Sequence, residues 1–185
     1  PERLLEMVRL YTLFDKKAGK IVARYQQIFG IKRLIERIST KNSKGGREGG
    51  VIWHTTGSGK SFTMVFLSKA MILHETLKKC RILVVTDRVD LEDQLSKTFV
   101  SGGELAGKKD KQNAMATSGK RLAEQIGKGT ERIMFSLIQK FNSATKLPEC
   151  VNTSSDFIVL IDEGHRSQGG ENHVRMKLAL PNAAF

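Results

Sequence analysis

Between residues 51 and 79 three patterns follow one another: a β-type run at Val51–Trp53, a turn with two glycines at Thr55–Gly59, and a segment, Lys60–Lys79, that is apolar on nearly every side. A helix so apolar is covered all round in a layered fold and does not lie on a surface. The two glycines, Gly57 and Gly59, permit a tight backbone whose N–H groups converge on one point. The helix start that follows adds partial positive charge. Together these suit a phosphate chain. Lys60 is placed to reach the β- and γ-phosphates, and the Ser61 hydroxyl to ligate magnesium. Thr55, Thr56, Gly57, Ser58, Gly59, Lys60 and Ser61 are therefore the expected ATP-binding turn. The strict form of the pattern has Gly at position 54, where this chain has His54.

Ile82–Thr86 and Phe157–Ile161 are short, continuous apolar runs, and Ile133–Phe135 is a third candidate. Continuous runs predict strands covered on both faces, as in a parallel sheet between helices. In open α/β sheets ligands sit at the carboxyl ends of the strands. Asp162 and Glu163 follow the Phe157–Ile161 run directly. Asp162 is expected to hold Mg2+ through water, and Glu163 to orient or deprotonate an attacking water. Alone the pair reads as an ordinary acidic turn; beside the glycine turn it reads as the other half of an ATP and Mg2+ site.

Elsewhere periodicity predicts helices over Leu4–Phe14, Ile21–Ile38 (interrupted by Gly30) and Asp90–Phe99. Asn42–Gly50 reads as a Gly/Lys-rich loop and Ser101–Gly119 as a polar, basic loop. Trp53 reads as core and His74 as helix surface. The expected organisation is residues 1–49 as N-terminal helices with a linker, and residues 50–185 as the nucleotide-binding lobe. The net charge of +12 is uneven: residues 1–49 hold 12 Lys/Arg against 5 Asp/Glu, residues 107–140 hold 8 against 3, and the remainder balances. Such a surface favours a polyanionic partner, most simply nucleic acid. Cys80 and Cys150 have no CxxC spacing, which argues against a zinc site or disulfide framework and for reduced thiols in the cytoplasm. No apolar run approaches the ~20 residues of a membrane span. The start at Pro1 reads as the edge of a trimmed segment.

Asp162-Glu163-Gly164-His165-Arg166-Ser167-Gln168 resembles the DEAH-type box of superfamily 2 helicases and translocases, and its Arg-Ser-Gln extension is similar to the motor (restriction) subunit of type I restriction-modification enzymes. Trp53 to Ser61 resembles that family's phosphate loop, in which His at the first position is usual. Val84 to Gln94 resembles its motif Ia, Ile138-Gln139-Lys140-Phe141 the segment before the box, and Arg24-Tyr25-Gln26-Gln27 an upstream Q-like motif. Gly164 and Gly30 stand where the family usually has Ala. The resemblance covers essentially the whole chain and implies an α/β, RecA-like P-loop NTPase domain with a mostly parallel sheet flanked by helices and N-terminal helices. It implies Gln27 as an adenine contact, and His165 and Gln168 as a link between nucleotide and DNA motifs. It implies Thr86, Arg88, Gln139 and Lys140 as candidates for the DNA backbone, contacts that carry no sequence information.

The implied function is the first motor lobe of a translocase on double-stranded DNA, working with methyltransferase and specificity subunits and truncated before the next helicase motif. Another superfamily 2 helicase or a P-loop phosphotransferase are the alternatives; the Arg-Ser-Gln extension and the box argue against them. Family members are far longer, so slow hydrolysis without translocation or cutting is expected of this segment. Blander readings stand beside several residues: His165 as a strand-end histidine held by backbone, Arg88 paired with Asp90 or Glu92, and the 107–132 stretch as a solvated loop.

Overall fold

A computed structural model describes residues 2–15, 19–53, 55, 57–103, 105, 108–162 and 170–185. Helix α1 (Glu2–Leu10) leads into an antiparallel hairpin of β1 (Thr12–Asp15) and β2 (Gly19–Val22), then helix α2 (Tyr25–Ser39). After a loop come α3 (Lys60–Leu73), β3 (Arg81–Thr86), α4 (Val89–Ser101), α5 (Lys108–Ala114), α6 (Gly119–Lys128) and β4 (Ile133–Leu137). A 3-10 turn, Ile138–Lys140, runs into the short α7 (Phe141–Ala144); β5 (Phe157–Ile161) and α8 (Glu171–Ala179) close the chain.

The main sheet has the order β4-β3-β5, with both pairings parallel. Single bridges extend it on either side, Met115 beside Phe135 and Ala184 beside Ile158. Alternation along β3 divides the interior in two. Ile82 and Val84 join Ile133, Phe135 and Ile158 against α2, α3, α4 and the hairpin. Leu83 and Val85 join Met134, Phe157 and Val159 against α6, α7 and α8. Both faces are covered, which is why the strand sequences are apolar without alternation. Phe99 of α4 meets Phe135 edge to face at 5.2 Å, the favoured aromatic geometry.

Several sequence expectations change. The helix expected over Leu4–Phe14 ends at Leu10, and the one expected from Ile21 starts at Tyr25. Between them the β-branched and aromatic residues Thr12, Phe14, Ile21 and Val22 pair as the hairpin, where tertiary pairing overrides helical spacing. Tyr11 and Leu13 thereby enter the same core as Ile31, Val65 and Phe66, and Lys69 of α3 donates to Thr12 O at 2.8 Å. Gly30 does not break α2. Val51–Trp53 forms no strand: Gly50 N–H donates to Phe185 O at 2.9 Å and the pairing goes no further. Trp53 is 88% exposed and so is not core. The expected 101–119 loop contains α5 and the end of α4, held where Lys111 meets Asp93 at 2.7 Å. The 107–132 stretch likewise includes the packed helix α6, whose Leu122, Ala123 and Ile126 are buried. No helix among the described residues is long and apolar enough to cross a membrane.

Two arginines fasten the amino-terminal end of the sheet. Arg81 donates to Gln125 O (2.6 Å) and Glu131 O (3.0 Å), and its guanidinium lies 4.8 Å from the centre of the Phe157 ring. Arg47, 4% exposed at its side chain, donates to Ile38 O, Ser155 O and Asp156 Oδ1, joining the end of α2 to the start of β5. Burial pushes the Cys150 thiol up to about 11 and raises Cys80 as well, so both are unreactive in the fold. Losing Arg47 strands two carbonyls, whereas Asp156 is 46% exposed and recovers water. Arg47→Ala should cost about 2–4 kcal/mol, and Asp156→Asn about 1 kcal/mol or less. Urea unfolding midpoints check this; equal losses would mean that the ion pair, not the carbonyl bonds, does the fastening.

Candidate functional site

The glycine turn is built as its residue types require. Ser58 closes it, with both its N–H and its hydroxyl donating to Thr55 O at 3.2 and 2.6 Å. Gly57 and Gly59 both lie in the left-handed region, at φ +75° and +88°. Helix α3 begins immediately at Lys60, with Gly59 as its N-cap. The first-turn N–H groups and the positive end of the helix dipole therefore lie at Lys60 and Ser61, an anion-receiving arrangement. His54 and Thr56 lie outside the described residues.

The N-cap glycine has no side chain to accept a hydrogen bond. Its carbonyl instead receives Thr63 N–H (3.0 Å), Thr63 Oγ1 (3.2 Å) and Gln27 Nε2 (3.2 Å). Gln27, expected at adenine, is thus placed with its amide against the phosphate turn, and it is 5% exposed.

A cavity of about 880 Å³ is lined by Lys60 from the turn and by Asp162 from the end of β5. Asp162 N–H donates to Val85 O at 3.0 Å, which carries the parallel ladder one residue past β5 and fixes the backbone of the acid. Most of the cavity wall is apolar, from Leu34 and Ile38 of α2, Met64 and Leu67 of α3, and β5. Its polar contributors include Lys60, Thr63, Asp162, His173 and Lys177. A carboxylate and a hydroxyl, Asp162 and Ser61, are the hard oxygen donors that suit Mg2+, with phosphate and water oxygens completing its shell. Among the described residues no cluster of three or more His, Cys, Asp or Glu forms an all-protein metal cage. Glu163, His165 and Gln168 lie outside the described residues.

The four candidates for DNA contact gather at the carboxyl ends of β3 and β4, and internal bonds already engage them. Thr86 is buried and its hydroxyl donates to Arg88 O. Gln139 Nε2 donates to Asp87 O at 2.8 Å. Lys140 meets Glu92 at 3.3 Å, both side chains largely buried. Arg88 forms a two-pronged pair with Asp90, at 2.6 and 3.1 Å, and this hydrogen bonding holds the exposed Asp90 carboxyl below its usual range. This is the pairing the blander reading of Arg88 expected.

Two further residues were not among those expected at the site. Asp87 Oδ1 is buried at the same strand ends with no hydrogen-bond partner. His173 of α8 faces the cavity, 8% exposed, with Nδ1 buried and unpartnered; burial and then Lys177 depress its pKa. Only the tertiary fold brings α8 to the cavity.

Residues 26–185 match the SWI2/SNF2 ATPase family. The chain is 36% identical to the type I restriction enzyme HindI endonuclease subunit of Haemophilus influenzae, aligned over all of this chain and 19% of that protein. It is 31% identical to a putative type I restriction enzyme MjaIXP endonuclease subunit of Methanocaldococcus jannaschii, over all of this chain and 17% of that protein. It is 28% identical to the type I restriction enzyme SauCOLORF180P endonuclease subunit of Staphylococcus aureus, over all of this chain and 19% of that protein. The chain therefore spans about a fifth of the length of these curated relatives.

The two glycines differ in what a side chain would meet. A Cβ at Gly57 enters open space, whereas one at Gly59 lies 3.2 Å from Gln27 Nε2. Gly57→Ala should cost about 1 kcal/mol, for the positive φ alone. Gly59→Ala should cost about 2 kcal/mol, since the Gln27 amide must also shift. Denaturation curves for the two variants would refute the crowding at Gly59 if they coincided.

Proposed function

Because this chain belongs to the SWI2/SNF2 ATPase family, we propose that it is the ATP-binding lobe of a DNA-translocating motor in a type I restriction endonuclease subunit. The observation that carries the reading is the single cavity lined by both Lys60 and Asp162, at the carboxyl end of a parallel sheet. A triphosphate lies at the polar part of that cavity, its oxygens facing the start of α3. Lys60 neutralises the β- and γ-phosphates, and charge developing on the transferred group is stabilised by it and by the helix N-terminus. Ser61 and Asp162 are the residues that would hold Mg2+, which would supply charge neutralisation there. Glu163 orients the attacking water and takes its proton. His165 and Gln168 connect this site to the DNA-binding side.

The DNA is double-stranded and is held through its phosphates, which suits a motor that follows any sequence. Basic charge at residues 1–49 and 107–140 supports that partner. The relatives are endonuclease subunits by name, so methyltransferase and specificity subunits are the partners proposed for the whole protein, in the cytoplasm.

Calorimetric titration with MgATP tests the site. The chain should bind weakly and hydrolyse slowly. Lys60→Ala should weaken binding by at least roughly tenfold, about 1.4 kcal/mol, with an unchanged circular dichroism spectrum. Asp162→Asn should retain nucleotide while losing the dependence of affinity on Mg2+. Undiminished binding in Lys60→Ala would contradict the assignment.

A further inference from the structure

The start of α4 carries three acids, and each already holds a cation. Asp90 takes Arg88 in a two-pronged pair, at 2.6 and 3.1 Å. Glu92 meets Lys140 of the 3-10 turn at 3.3 Å. Asp93 meets Lys97 of α4 at 2.5 Å and Lys111 of α5 at 2.7 Å. The dipole of a helix favours carboxylates at its start. That accounts for the acids, but not for the cations gathered on them. Arg88 follows β3 and Lys140 follows β4, and the acids draw both to α4 at the carboxyl edge of the sheet.

The pairs differ in how firmly they are held. Lys140 and Glu92 leave 17% and 6% of their side chains exposed, so little water competes for that pair. Arg88 and Asp90 leave 56% and 63% exposed. An exposed pair of this kind is worth about 1 kcal/mol or less. A phosphate offers a guanidinium the same fork of two oxygens that a carboxylate does. Exchanging one for the other at Arg88 therefore costs the fold little, whereas exchange at Lys140 would strand the buried Glu92 carboxylate. The hydrogen bonds from Arg88 hold the Asp90 carboxyl below its usual range, so the pair is intact at neutral pH.

We infer that Asp90 is an internal stand-in for a DNA phosphate: it occupies the guanidinium of Arg88 in the free protein, and a backbone phosphate has to displace it. The inference rests on the double-stranded DNA reading above and adds a control on that contact. One carboxylate sets how much Arg88 contributes to holding DNA.

The test measures affinity for a short duplex of arbitrary sequence by fluorescence anisotropy. It compares the parent, Asp90→Asn, Arg88→Gln and the double variant. Salt is varied between about 50 and 200 mM, where each phosphate contact adds roughly 0.9 to the slope of log affinity against log salt. Asp90→Asn should tighten binding by roughly threefold to tenfold and steepen that slope by about one contact. Its melting temperature should move little, because the pair is exposed. On the Arg88→Gln background the same change should lose most of its effect, since no guanidinium remains to be uncovered. Equal tightening on both backgrounds would overturn the inference, because it would show only the removal of a negative charge near DNA. If the parent binds the duplex and Asp90→Asn binds it no better, the exchange fails and the DNA reading stands. If the parent binds no duplex at the lowest salt, the DNA reading falls and the exchange with it.

Discussion

Parallel pairing makes β3, β4 and β5 end at one edge, and the chemistry open to the chain follows from that geometry. A parallel connection has to cross over the sheet, so helices come to lie on both faces and each strand is buried twice over. The register sets Val85 opposite Ile161 and Thr86 opposite Leu137. The residues just beyond, Asp87, Gln139 and Asp162, are therefore brought to the same edge by the backbone ladder. Changing a side chain at this edge alters its chemistry while leaving its place intact.

The two ends of the sheet differ in how they use charge. At the amino end, Arg81 and Arg47 are enclosed by carbonyl oxygens and tie separate elements together. At the carboxyl end, Lys140 is neutralised by Glu92 and Arg88 is paired with Asp90. Lys111 and Lys97 converge on Asp93, and their hydrogen bonds hold its carboxyl at about 2. A formal charge of +12 consequently overstates the basic surface offered to a polyanion, because several of its members serve the fold. Electrostatic attraction toward nucleic acid depends on the residues left outside such pairs.

Legibility from sequence tracks how local each determinant is. β3, β5 and the start of α3 were readable because burial on all sides writes itself into consecutive residues, and the glycine turn because positive φ restricts residue choice. The hairpin of Thr12–Asp15 and Gly19–Val22 was not readable, since four-residue strands leave too few positions to separate a period of two from one of 3.6. Helix α6 was missed for another reason: its apolar face is only Leu122, Ala123 and Ile126, set among charges that resemble a solvated loop. At the site, Lys60 and Asp162 carried motifs, but the engagement of Gln27 with Gly59 spans 32 positions and leaves no local pattern. His173 and Asp87 likewise acquire their surroundings only when the chain folds.

The apolar character of α3 connects these observations. A helix that presents a phosphate-receiving end gains from being immobile, because donors already aimed need no reorganisation when the anion arrives. Val65, Phe66, Leu67, Ala70 and Met71 bury the body of α3 in the core shared with α2 and the sheet, while Lys60 and Ser61 at its start are half-buried. Thr63 is the last polar residue before that buried stretch, and it is the one that Gln27 bonds. Gln27 and Thr63 thus link the start of α2 to the N-cap of α3 by hydrogen bonds. Residues 1–49 adjoin the site by this route, since they supply α2 and the hairpin that packs with α3.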